Sequence, residues 1–217
     1  MREIVLVGSG GCMRELVWQM QEQNKREAVW QIIGYVDRKA PEDESGVSVG
    51  EDWIPYLGGD EVLMQSKKPV NVAVCVGNPS LRKKIVQKLA ANTKLTFPNL
   101  ILGDTRICPD VKIGRGCIVS MGAKVSTNVR LGDFVFLNMD ATICHDGSLG
   151  DFVTLSPGVT LAGNVHVGTE SEIGMGTQVR QGIHIGKNVI TGAGSVIVKD
   201  VQDDVTVVGV PAERISG

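Results

Sequence analysis

At 217 residues, with 22 Lys and Arg against 24 Asp and Glu, the chain has room for one or two domains and a sizeable core, and its nearly balanced charge excludes a broad nucleic-acid footprint. Its five cysteines (Cys12, Cys75, Cys108, Cys117 and Cys144) are odd in number and include no C-x-x-C pair, which points to a reducing compartment rather than a disulfide scaffold. The opening MREIVLVGSGG is apolar for too few residues to make a signal peptide or a membrane span, so a cytoplasmic protein is expected.

Residues 4–7 read as a buried parallel strand, and Gly8-Ser9-Gly10-Gly11 follows at once. Residues 14–23 have helical composition, with Leu16, Val17 and Met20 on one face. Strand, glycine-rich turn and helix open a nucleotide-binding βαβ unit, in which a phosphate or sugar nucleotide would lie against backbone N–H groups at the helix N-terminus. The alternative is a turn that serves packing alone. Met13 stands where the third glycine of G-x-G-x-x-G belongs, and a unit of this size suits a mononucleotide-sized ligand better than a dinucleotide. A second strand over residues 31–36 ends at Asp37-Arg38-Lys39, where such folds meet a ribose or base.

Residues 39–52 are polar, carry Pro41 and two glycines, and read as a loop. A short helix is expected over 60–66, a third strand over 71–76, a helix from Ser80 as cap to about Asn92, and a fourth strand over 95–100. Pro98-Asn99 is the expected joint between a domain over 1–98 and a domain over 99–217.

From Ile107 a step of six lands on Ile113, Val119, Val125, Leu131, Leu137 and so on to Ile197 without insertion or loss, and only Thr191 breaks the aliphatic rule. Four residues after each comes a small or apolar side chain, and a glycine often follows the aliphatic directly. A period of six is neither helical nor simple strand alternation. It marks a parallel β-helix in which three hexapeptides make one triangular coil of eighteen residues. About five coils follow, with the aliphatics stacked inward, each contributing roughly 1.5–3 kcal/mol. Glycine would serve tight corners or φ > 0.

The three histidines all fall in the repeat. His166 and His184 are eighteen apart and stack on one outer face, as a contact ladder or as a metal pair. His145 sits at a corner, two residues past inward Ile143, beside Asp146. A carboxylate that orients an imidazole makes His145 the candidate general base and Asp146 its partner, set against a merely exposed His-Asp pair. Cys144 is a weaker nucleophile candidate, and Asn138 offers an amide to a substrate carbonyl or hydroxyl, or a turn cap.

The order VLVGSGG (5–11), GYVD (34–37), VGNPSLRKKI (76–85), FPNLI (97–101), ICHDGSLGDFVTLSPGVTLAGNVHVG (143–168) and VIVKDVQDDVTVVGVPAERI (196–215) resembles bacterial sugar acetyltransferases. The group is that of the sialic acid O-acetyltransferases and the bacillosamine-type N-acetyltransferases. The resemblance implies an α/β, Rossmann-like N-terminal domain followed by a left-handed parallel β-helix. It implies a homotrimer with acetyl-CoA in the groove between β-helices and no metal. The acceptor it implies is a nucleotide-linked amino sugar, N-acetylated in bacterial glycan biosynthesis. O-acetylation of sialic acid or another sugar is the nearest alternative, followed by a zinc hydratase on the same β-helix and a non-catalytic nucleotide-sugar scaffold. By the resemblance His145 is the base and Asp146 its acidic partner, and Asn138 lies near the acceptor amine. Gly163, Gly174 and Ala193 contact the CoA arm through their backbone. Gly8, Ser9, Gly10 and Gly11 form the phosphate loop, and Asp37, Arg38 and Lys39 the base-recognising segment. Thr154 falls in the acetyl-CoA set, where the family often has a histidine that places the donor, and Ile101-Leu102-Gly103 replaces an I-H-P segment.

Overall fold

The computed structural model describes residues 1–41 and 45–215. The chain divides into two compact units, residues 1–77 with 81–98 and residues 78–80 with 99–217.

In the first unit, β1 (Arg2–Val7) is followed by α1 (Gly11–Arg26). Met13, Leu16, Val17 and Met20 are buried at the spacing of one helical face. β2 (Trp30–Val36) runs parallel to β1. The stretch expected as a loop instead carries β3 (Gly46–Val49), which pairs antiparallel with β4 (Asp52–Gly58), Val49 opposite Asp52, around Gly50 at φ +61. A left-handed glycine between two short β runs is a hairpin signal that the surrounding polarity hid; residues 42–44 of that expected loop lie outside the described residues. α2 (Asp60–Met64), β5 (Val70–Val74), α3 (Pro79–Leu89) and β6 (Leu95–Thr96) complete the order. α3 starts at Pro79, where a missing N–H costs nothing, and the Ser80 hydroxyl bonds the Asn78 side chain rather than capping the helix.

The sheet order is β3-β4-β2-β1-β5-β6, parallel except at β3. Strands β2 and β5 flank β1 on opposite sides, so the direction of winding reverses at β1. In open α/β sheets, ligands bind at that reversal, beyond the carboxyl ends of the strands.

The second unit is a parallel β-helix. Seventeen two-residue strands, from β7 (Leu100–Ile101) to β23 (Val196–Ile197), recur every six residues among the described residues, and each pairs in parallel with the strand one coil away. A first face carries the strands at 100, 118, 136, 154, 172 and 190 and ends in β24 (Thr206–Gly209) and antiparallel β25 (Ala212–Ile215). A second face carries those from 106 to 196, and a third those from 112 to 184. The single strand expected over 95–100 is therefore two strands in two sheets, parted by Pro98, which has no N–H to give a ladder.

The inward aliphatics are buried as their spacing requires, Leu137, Leu155, Leu161 and Ile173 each at 0% exposure. Thr191 continues the stack: its Oγ1 accepts the Gly174 N–H at 2.9 Å and lies 3.0 Å from Thr177 Oγ1, so the buried hydroxyl is satisfied. The recurring glycines behave differently from expectation. None of Gly114, Gly132, Gly150, Gly168 or Gly186 has φ > 0; a Cβ on Gly114 would lie 2.5 Å from the Gly132 carbonyl oxygen of the next coil. They permit close stacking of coils. The left-handed residue comes two positions later, at Phe134, Phe152, Glu170 and Asn188.

Candidate active site

His145 lies in the corner between β14 (Thr142–Ile143) on the second face and β15 (Ser148–Leu149) on the third. Its side chain is half exposed, and Nδ1 is 2.8 Å from Asp146 Oδ2. An ionised carboxylate only accepts, so Nδ1 carries a proton, and in the neutral imidazole Nε2 is then the nitrogen with the lone pair. Asp146 Oδ1 accepts the Asn128 amide at 2.7 Å. The Asn128 amide and the His145 ring hold the Asp146 carboxyl below the usual carboxylate range.

The imidazole lies over Gly163 of the next coil. A Cβ there would be 2.4 Å from His145 Cε1 and 2.5 Å from Nε2, so only glycine admits the ring in this position. The Gly163 N–H has no partner within the chain among the described residues, whereas the next amide, Asn164, donates to the His145 carbonyl at 2.8 Å. A hollow of about 550 Å³ on the second face is lined by Arg106, Lys124 and Thr142, with Cys108, Ser126 and Cys144 at the edge that leads to His145.

One chain gathers only part of the expected set. Asn138, Gly174 and Ala193 all lie at the corner between the first and second faces, a strand's length from His145, Asp146 and Gly163. Asn138 Oδ1 accepts the Met139 N–H at 2.8 Å. The Gly174 N–H is engaged by Thr191, while the Ala193 N–H has no partner among the described residues. Thr154 is buried within the first face, 4% exposed. His166 and His184 stack with ring centroids 4.8 Å apart, and both nitrogens of His166 are occupied, by Ser148 Oγ at 2.7 Å and Asn164 Oδ1 at 3.1 Å. That is the geometry of a hydrogen-bonded ladder.

The first unit holds a second feature at its winding reversal. The N–H groups of Ser9, Gly10, Gly11 and Cys12 have no partner within the chain among the described residues, and no side chain caps α1. Gly8 needs its left-handed φ of +106, but a Cβ on Gly10 or Gly11 would meet nothing within 4 Å. The second pair of glycines is thus not a packing requirement, and the open amides suit a phosphate. Ser9 Oγ donates to Asp37 Oδ2 at 2.7 Å, and Asp37 Oδ1 accepts the Lys39 N–H at 3.3 Å. Val7, Gly8, Asp37, Arg38, Asp60 and Val76 line a crevice of about 210 Å³ there. Burial pushes the Cys12 thiol up to about 12, which makes it inert.

Sequence reasoning missed Asn128 and the seating role of Gly163. Both are legible at a distance of eighteen residues, Asn128 one coil before Asp146 and Gly163 one coil after His145, once the coils are laid in register.

A triangular β-helix of hexapeptides, with an oriented histidine at one corner and a glycine-lined crevice in a preceding α/β unit, defines a hexapeptide-repeat acyltransferase. The PglD N-terminal domain matches residues 3–89. The acetyltransferase domain of PglB from Neisseria gonorrhoeae is 33% identical over 99% of this chain and 100% of its own, with a TM-score of 0.85; it has also been solved with acetyl coenzyme A. PerB from Caulobacter crescentus, in complex with CoA and GDP-perosamine, is 28% identical over 100% and 98% with a TM-score of 0.86. WeeI from Acinetobacter baumannii is 26% identical over 98% and 100% with a TM-score of 0.82. Comparison with curated proteins finds no match. The chain belongs to the hexapeptide-repeat sugar acetyltransferase family, with its left-handed parallel β-helix and Rossmann-like N-terminal domain. No helix among the described residues is long and apolar enough to cross a membrane.

Proposed function

We propose that this chain transfers the acetyl group of acetyl-CoA to the amine of a nucleotide-linked amino sugar, with His145 as general base. The observation that carries the reading is the Asn128–Asp146–His145 chain of hydrogen bonds, which fixes the tautomer and leaves Nε2 as the proton acceptor. The amine attacks the thioester carbonyl, and Nε2 removes a proton from the nitrogen as the new C–N bond forms. A backbone N–H, for which the unpaired Gly163 amide is the nearest candidate, steadies the oxyanion. Collapse breaks the C–S bond, and the departing CoA thiolate takes the proton from His145. No covalent enzyme intermediate is required.

The nucleotide half of the acceptor sits on the Ser9, Gly10 and Gly11 amides, with Asp37, Arg38 and Lys39 toward the base. Solved relatives bound to CoA and GDP-perosamine, or to acetyl coenzyme A, support both substrate classes. Asn138, Gly174 and Ala193 lie on a different corner from His145, so they can serve one reaction centre if that corner of one chain faces the His145 corner of another. This supports a homotrimer with acetyl-CoA in the groove between subunits.

The test is steady-state acetylation of UDP-, GDP- and dTDP-linked amino sugars, with free sialic acid as the hydroxyl acceptor. The expected result is amine acetylation by wild type and a fall in kcat of roughly 100- to 10,000-fold in His145→Ala. Near-normal turnover by that variant ends the proposal for the base, and preferred acetylation of sialic acid moves the chemistry to oxygen.

A further inference from the structure

We infer that Asn128 is a positioning residue for acetyl transfer: its side-chain amide, one coil away from His145, fixes the rotamer and charge of Asp146 and through it the orientation and basicity of the imidazole. The inference rests on the reading of His145 as the base.

Asn128, Asp146 and Asn164 occupy the same repeat position one coil apart, at φ 56, 61 and 56. Asparagine and aspartate tolerate this left-handed corner, so turn-filling alone would explain an asparagine at 128. The contacts go further. Asp110 Oδ2 accepts the Thr127 hydroxyl at 2.6 Å and the Asn128 N–H at 2.9 Å, which anchors that corner from the preceding coil. The anchored residue then presents Nδ2 to Asp146 Oδ1 at 2.7 Å. With one oxygen held, the other points at His145 Nδ1.

The same chain contains an internal control. Asn188 Nδ2 donates to Asp204 Oδ1 at 2.9 Å between two left-handed residues at another corner, with no histidine in that pair. The Asn–Asp rung is thus a structural device of the coil. At 128–146 the same device has a second output, because the carboxylate it fixes is shared with an imidazole.

The titratable groups around Asp146 are few. Asp110 and Cys108 lie beyond Asn128, His145 and Cys144 are on its own coil, and His166 is behind Asn164. Among the described charged groups only His145 acts on the carboxylate appreciably. A new carboxylate at 128 therefore has a clear sign. It favours the imidazolium, or holds a shared proton with Asp146 until higher pH, and either route delays formation of the active base as pH rises.

The experiment compares Asn128→Asp, Asn128→Gly, Asn188→Asp and His145→Ala in the full-length protein. All three residues introduced at the two corners are tolerated in left-handed backbone, and thermal midpoints verify folding. The expected result is that Asn128→Asp shifts the acid limb of the kcat/KM profile upward by about half a pH unit or more, the effect of a charge ~6 Å away in water, while Asn188→Asp leaves it in place. Asn128→Gly lowers kcat about tenfold with the KM for acetyl-CoA unchanged, an order of magnitude below a full general-base contribution. An unmoved acid limb in Asn128→Asp, or wild-type kcat in Asn128→Gly, overturns the inference while His145→Ala remains inactive. Turnover by His145→Ala removes the base reading and this inference with it.

Discussion

Gly163→Ala adds one methyl group beneath the reacting imidazole. The backbone at 163 lies outside the left-handed region, so alanine is conformationally acceptable there. The new Cβ would stand 2.4 Å from His145 Cε1, 2.5 Å from Nε2 and 3.1 Å from Nδ1, where ordinary contact begins at 3.4 Å. The atoms in the way belong to the end of a half-exposed side chain, so the ring gives way by about 1 Å while the fold stays intact. A shift of that size competes directly with the 2.8 Å bond to Asp146 and takes Nε2 off the line to its proton. Misplacement by about 1 Å costs on the order of 100-fold in rate. The assay is kcat and KM for both substrates, together with the thermal midpoint. The expected result is a fall in kcat of about 100-fold with an unchanged midpoint and KM for acetyl-CoA. A variant with kcat within about twofold of wild type refutes the seating argument, as an order of magnitude is the least that such a displacement predicts. A change confined to the KM for acetyl-CoA would instead place Gly163 along the donor.

Gly11→Ala meets no atom within 4 Å and is expected to leave stability within about 0.5 kcal/mol, as for surface substitutions, while raising the KM for the nucleotide sugar. Gly8→Ala, at φ +106 with a Cβ 3.3 Å from the Cys75 carbonyl oxygen, is expected to destabilise by about 1 kcal/mol or more in denaturant titration. An unchanged KM in Gly11→Ala contradicts the phosphate cradle. Asp110 and Asp146 are both held below the ordinary carboxylate range, Asp110 chiefly by the Thr127 hydroxyl and Asp146 chiefly by the Asn128 amide. Below that range the unfolded chain has taken up protons that the folded chain still refuses, so their contribution is present above the unfolded value and is lost as pH falls through the folded one. The thermal midpoint should therefore drop below about pH 4, and Asp110→Asn should flatten that drop; an identical acid profile in the variant contradicts the assignment.

The β-helix was legible because its period is strict: with no insertion between Ile107 and Ile197, every inward residue could be named from spacing alone. Thr191 looked like a break because hydropathy carries no information about a partner, and here the partners are Thr177 and the Gly174 N–H. Glycine position misled for a related reason. The repeat shows where glycine recurs but not whether φ or neighbouring backbone demands it, and at Gly114 and Gly168 the demand is the next coil. The hairpin of β3 and β4 was missed because four residues of weak alternation cannot outvote a polar context. At the corner, adjacency revealed His145 and Asp146, whereas Asn128 and Gly163 are distant in sequence and become neighbours only through the coil. The division of Asn138 and His145 between two corners follows from counting strands and needed the faces to be assigned first.

For the proposed transfer of the amine proton to the His145 imidazole, the decisive measurement is a crystal structure with CoA and a nucleotide-linked amino sugar. The sugar nitrogen is expected within about 3.2 Å of His145 Nε2, hydrogen-bond reach for a general base, with the CoA sulfur on the far side of that nitrogen. A bound amine that lies out of reach of Nε2, with His145 in contact with neither substrate, would contradict it.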